Sequence, residues 1–104
     1  MEDEKEYEIF GAGKFGQRRD YIQQVRDMLR VEGIHRVLIP LKTLYAGRGV
    51  VVTASTYDNI IHPPKNPGVQ FKVKGDGNNI RAKRIARQIE DIVSEGESLR
   101  LQDL

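Results

Sequence analysis

Apolar residues recur along this chain with two different periods. Between about Gln17 and Val31 they fall at Tyr21, Ile22, Val25, Met28 and Leu29, the spacing of one face of an α-helix. Arg19, Arg26 and Arg30 lie off that stripe, and Gly33 is placed to stop the helix. A second helical stripe contains Ala82, Ile85, Ala86, Ile89, Ile92 and Val93. It starts after Asn78 or Asn79, either of which suits an N-cap, and is expected to run to about Ser94 with Gly96 as its terminator. The other period is two. Val69, Phe71 and Val73 alternate with Gln70, Lys72 and Lys74, which predicts a strand with one apolar and one polar face. Val37, Ile39 and Leu41 alternate within a strand predicted over 36–45, where Pro40 lacks an amide donor and implies a sheet edge or a bend. A hairpin turn at Ala46-Gly47-Arg48-Gly49 leads into a β-branched strand over 50–56, with 57–62 as an extension, and Tyr7 to Phe10 makes a short first strand. Pro63 to Gly68 holds three prolines and reads as a loop.

The resulting order, β-α-β-β-β-α, predicts an α+β fold: a small antiparallel sheet with two helices packed on one face and the other face open. A chain of 104 residues suffices for one modest core. The absence of cysteine excludes disulfides, thiol catalysis and cysteine-ligated zinc. No apolar run reaches 18 residues, so no membrane-spanning helix is expected. The start, Met1 to Glu6, is acidic and unlike a signal peptide, which leaves a cytoplasmic location as the expectation. Ten arginines with no cysteine or tryptophan are consistent with a thermophile.

Charge changes the picture more than composition does. The net charge of +2 hides a partition. Residues 1–8 carry five acids against Lys5, residues 90–104 carry five acids against Arg100, and residues 9–89 carry fifteen Lys and Arg against five acids. The body over 9–89 is therefore +10 between two ends of −4 each; with the second helix kept whole, the chain divides into an acidic tail over 1–8, a basic domain over 9–96 and an acidic tail over 97–104. A basic body with too few acids to pair its bases points to a polyanion, and nucleic acid is the expected partner.

Candidate contacts follow. Lys72 and Lys74 project from one face of a strand, and Arg81, Lys83, Arg84 and Arg87 crowd a helix start that adds its own amide donors. Tyr45 lies between Lys42 and Arg48, as bases stacked on aromatics among cations would require, with Phe15 (beside Lys14) and Tyr57 as further stacking candidates. The set expected to bind nucleic acid is thus Lys42, Tyr45, Arg48, Lys72, Lys74, Arg81, Lys83 and Arg84, with Lys14, Phe15 and Tyr57. Gly11-Ala12-Gly13-Lys14-Phe15-Gly16 fits G-x-G-x-x-G between a strand and a helix, but the chain continues with strands instead of a second β-α-β unit. That turn holds either a phosphate or nothing, and no cofactor is expected. His35 and His62 stand apart from any metal-ligand or catalytic set, so neither a metal nor an enzyme is expected.

Lys74-Gly75-Asp76-Gly77-Asn78-Asn79-Ile80-Arg81-Ala82-Lys83-Arg84-Ile85-Ala86 resembles the segment of the Alba family of archaeal chromatin proteins where a basic strand meets a glycine loop and an Ile/Ala helix. That resemblance implies DNA contacts at Lys74, Gly75, Gly77, Asn79 and Arg81. In outline, a small sheet with helices on one side, a basic apolar-lined cleft and acidic ends resembles the ThermoDBP family of archaeal single-stranded DNA-binding proteins. The helix–strands–helix order is also similar to double-stranded-RNA-binding domains, whose basic second-helix start would correspond to Arg81, Lys83 and Arg84. The expectation is a sequence-tolerant, non-enzymatic binder of single-stranded DNA or RNA. The alternatives are an assembly module forming a homodimer through the sheet edge near Pro40 or the open face, a duplex DNA or RNA binder, and a small phosphate-ligand binder. The acidic ends are expected to screen the groove or to recruit a basic partner.

Overall fold

The structure, a computed structural model, describes residues 4–13, 15–57, 68–76 and 79–102, and the side chains of 5–13, 17–56, 68–75 and 79–97. Seven elements follow one another: β1 (Glu4–Ala12), α1 (Phe15–Val31), β2 (His35–Ile39), β3 (Lys42–Gly47), β4 (Val50–Tyr57), β5 (Gly68–Asp76) and α2 (Ile80–Gln102). The strands form one antiparallel sheet in the order β1-β5-β4-β3-β2. The α+β architecture expected from the pattern is the one found, with one strand more.

The additional strand comes from Pro40. The segment expected as a single bent strand is a hairpin, in which Ile39 pairs with Lys42 across Pro40 and Leu41. Proline has no amide to donate and a fixed φ, so it suits the first corner of a turn. Leu41 completes the reversal at φ 64, a conformation that side-chain-bearing residues avoid. The next reversal, Arg48–Gly49, joins Gly47 to Val50 with positive φ at both residues (56 and 78). These are the signs of a type I′ turn, whose twist matches that of the flanking strands.

Strand parity and register place Tyr7, Ile9, Val69, Phe71, Val73, Val50, Val52 and Tyr45 on one face of the sheet. All but Tyr7 are buried there against Tyr21, Val25 and Leu29 of α1 and Ala82, Ile85, Ala86, Ile89 and Val93 of α2. Both helices lie over β1 and β5, and α1 also meets β2. α1 ends as Gly33 requires. Ile34 N–H donates to Leu29 O (2.9 Å) and Gly33 N–H to Arg30 O (3.1 Å), with Gly33 at φ 84. This is a Schellman closure, with Ile34 and Leu29 both buried as its apolar pair. α2 is capped by Asn79, whose Oδ1 accepts from Ala82 N–H at 3.1 Å.

Three boundaries differ from expectation. α2 does not stop at Gly96 but continues to Gln102. A Cβ at Gly96 would sit 2.5 Å from Tyr21 Cε1, so this glycine lets the two helices approach. Glu97, expected in an acidic tail, accepts a hydrogen bond from Ala12 N–H at 3.2 Å. The acidic N-terminal segment is likewise sheet from Glu4 onward. Among the described residues no helix is long and apolar enough to cross a membrane.

Candidate nucleic-acid interface

The outward face of the sheet is divided by composition. On β1 and β5 it carries Glu6, Glu8, Lys72 and Lys74, and the register sets Glu6 opposite Lys74 and Glu8 opposite Lys72. The pairs close at 3.4 Å and 3.8 Å. Gln70 Nε2 also donates to Glu8 Oε2 at 3.4 Å. On β2, β3 and β4 the same face carries Val37, Ile39, Leu44, Ala46 and Val51, with Lys42, Thr53 and Ser55 among them.

A depression of about 850 Å³ lies where these two halves meet. Its outward lining is Ile39, Lys42, Leu44, Val51, Thr53, Ser55, Lys72 and Lys74. Around the β2–β3 hairpin it reaches Arg36, Thr43, Ala54 and Thr56 of the opposite face, together with Leu41 and Ile22 of α1. None of these residues is acidic. On the outward face Lys42, Lys72 and Lys74 with the hydroxyls of Thr53 and Ser55 therefore surround a floor of Leu44, Val51 and Ile39, so polyanion donors sit beside apolar surface.

Three of the expected contacts, Lys42, Lys72 and Lys74, are brought together here although 32 residues separate the first from the last in sequence. Arg48, Arg81, Lys83 and Arg84 form a second group at one end of the molecule. Arg48 lies against the α1–β2 connection, since a Cβ on Gly33 would meet its Nε at 3.3 Å. Arg84 pairs with Glu32 of that connection. Asn79 ties the same end together: its Nδ2 donates to Gly49 O at 2.8 Å while its Oδ1 caps α2. Among the described residues no carboxylate is within ion-pair distance of Arg48, Arg81 or Lys83. The groups adjoin through the sheet, because Lys74 pairs with Val51, two residues beyond the Gly49 turn.

The stacking expectation needs correction at Tyr45. Its ring is 2% exposed, because its strand position faces the helices opposite Val52, and it belongs to the core. Arg36 covers it at 6.0 Å from guanidinium to ring centre. Phe10 is the one exposed aromatic among the described side chains. Lys14 lies outside the described residues, as do the side chains of Phe15 and Tyr57. Gly77, Asn78 and His62 lie outside them as well.

Sequence reasoning missed Arg36 and the hydroxyls of Thr43, Thr53 and Ser55. Strand parity was the signal for Thr53 and Ser55, whereas Arg36 and Thr43 have the opposite parity and join the depression only around the β2–β3 hairpin. Among the described residues no three His, Cys, Asp or Glu side chains cluster as metal ligands would. No family model matches this chain, and neither a curated protein nor a solved structure does.

Proposed function

We propose that this protein binds nucleic acid without strong sequence preference, holding the sugar-phosphate backbone of a single strand in the depression on the outward face. The observation that carries the reading is the outward lining of that depression: Lys42, Lys72 and Lys74 beside Thr53 and Ser55, with Glu6 and Glu8 paired to two of the lysines and outside the lining. Neutralising phosphates releases condensed counterions, and lysines on a strand face supply that drive without reading bases. The apolar floor of Leu44, Val51 and Ile39 gives unstacked bases a surface to lie on. The cations around the start of α2 extend the path past the Arg48 turn.

The test is fluorescence anisotropy with labelled single-stranded DNA, single-stranded RNA and duplex DNA across a salt series. Binding should weaken linearly in log salt. Replacing Lys42, Lys72 and Lys74 together by alanine should lower the slope by about 2 for a single strand, at roughly 0.7 per phosphate contact. No binding to any probe at low salt would overturn the reading. Preference for the duplex, with the triple variant unaffected, would move the interface to Arg48, Arg81, Lys83 and Arg84.

A further inference from the structure

The two edges of the sheet are protected very differently. β1 presents exposed charges at Lys5, Glu6 and Glu8 along its edge, which is how proteins discourage another strand from adding. At the other edge all five residues of β2 are exposed, and three of them are Val37, Leu38 and Ile39. Leu38 is 87% exposed, and Leu41 beside it is fully exposed. The charged residue within this run, Arg36, does not guard the edge. Its guanidinium donates to Val37 O and Lys42 O, each at 3.4 Å, and lies over the Tyr45 ring, so it is drawn back across the sheet. Alternate amides and carbonyls of β2 point away from β3, and among the described residues no strand receives them.

We propose that two copies of this chain join through antiparallel pairing of β2 with its own copy, on a two-fold axis through Val37, into one ten-stranded sheet. The strand is self-complementary in that register. Val37 meets Val37, Arg36 meets Leu38, and His35 meets Ile39, so no two like charges face each other. An isologous contact of this kind closes on itself and leaves the charged β1 edges outermost. Five residue pairs cover less than the roughly 800 Å² per partner of a standard interface, so the dimer is concentration-dependent and reversible. Because Ile39 and Lys42 line the depression and adjoin the seam, pairing sets two depressions side by side on one continuous sheet. The dimer itself does not depend on the nucleic-acid reading.

The chain has no native cysteine, which makes the axis directly testable. Sedimentation velocity should show wild-type protein passing from monomer to dimer with rising concentration. Under mild oxidation Val37→Cys should form a disulfide dimer about tenfold faster than Leu41→Cys, because only residues on the axis meet their own copies at bonding distance. Val37→Glu, at an exposed position that tolerates the change, should keep its circular dichroism and remain monomeric. A wild-type chain that stays monomeric at every concentration overturns the proposal. So does a dimer in which Val37→Cys has no kinetic advantage, or one that Val37→Glu leaves intact. Dimerisation without oligonucleotide binding would support the seam while refuting the binding reading, and the reverse result would separate them the other way.

Discussion

Arg48 sits at the first corner of a type I′ turn, where asparagine or glycine adopts positive φ at little cost. An arginine there is strained by about 1 kcal/mol, yet it places a long cation beside the start of α2. Arg48→Asn should therefore raise the melting temperature by a few degrees, consistent with about 1 kcal/mol in a domain of this size. It should also weaken oligonucleotide binding and flatten its salt dependence. Thermal melts and the anisotropy series read the two effects separately. Gly96 shows the opposite balance. In an ordinary helix Gly→Ala gains about 1 kcal/mol, but at this position the new methyl group would press on the Tyr21 ring. Gly96→Ala should destabilise the protein in urea, and combining it with Tyr21→Leu should recover part of the loss.

Among the elements, β1 matters most for the site. Its Glu6 and Glu8 hold the two lysines that a phosphate would need. Half-exposed cross-strand pairs contribute only about 0.2–1 kcal/mol each, so they compete with a ligand without fixing the fold. Replacing both by glutamine should tighten oligonucleotide binding several-fold at low salt, an effect that fades as salt screens the pairs. Unfolding midpoints in urea should move little. Equal affinity for the variant and the parent would place the phosphates away from Lys72 and Lys74. The elements themselves were largely legible in the sequence, because the Tyr21–Leu29 and Ala82–Val93 stripes and the Val69–Val73 alternation are strong local signals. The Pro40 hairpin was hidden, since Val37, Ile39 and Leu41 continue an alternation that a turn does not interrupt in the one-dimensional pattern. Gly96 misled for a related reason: a glycine near a helix end signals termination, while one serving a helix–helix contact depends on a partner 75 residues away.

For the molecule as a whole, one core supports everything described. Phe71 lies at its centre with no exposed surface, and Phe71→Ala should cost about 3–5 kcal/mol, a large share of the 5–15 kcal/mol typical of a domain. Urea denaturation should show that loss, while Leu41→Ala should leave the midpoint nearly unchanged. The charge partition was visible in the sequence, but its meaning was not. The acidic ends read as screens of the groove or lures for a basic partner, whereas the register places Glu6 and Glu8 in the sheet, and Glu97 accepts a hydrogen bond from Ala12 of β1. Lys42, Lys72 and Lys74 were found as cations, and their convergence needed the strand order. Tyr45 was misplaced because nothing local separates a buried aromatic between two basic residues from an exposed one.

Asn79 joins the Gly49 carbonyl to the first turn of α2 with a single side chain. The turn that carries Arg48 and the helix that carries Arg81 and Lys83 are thereby held as one unit before any ligand arrives. Calorimetry of oligonucleotide binding should then lack the large negative heat-capacity change of coupled folding, and that change should emerge once Asn79→Ala lets the two parts order separately.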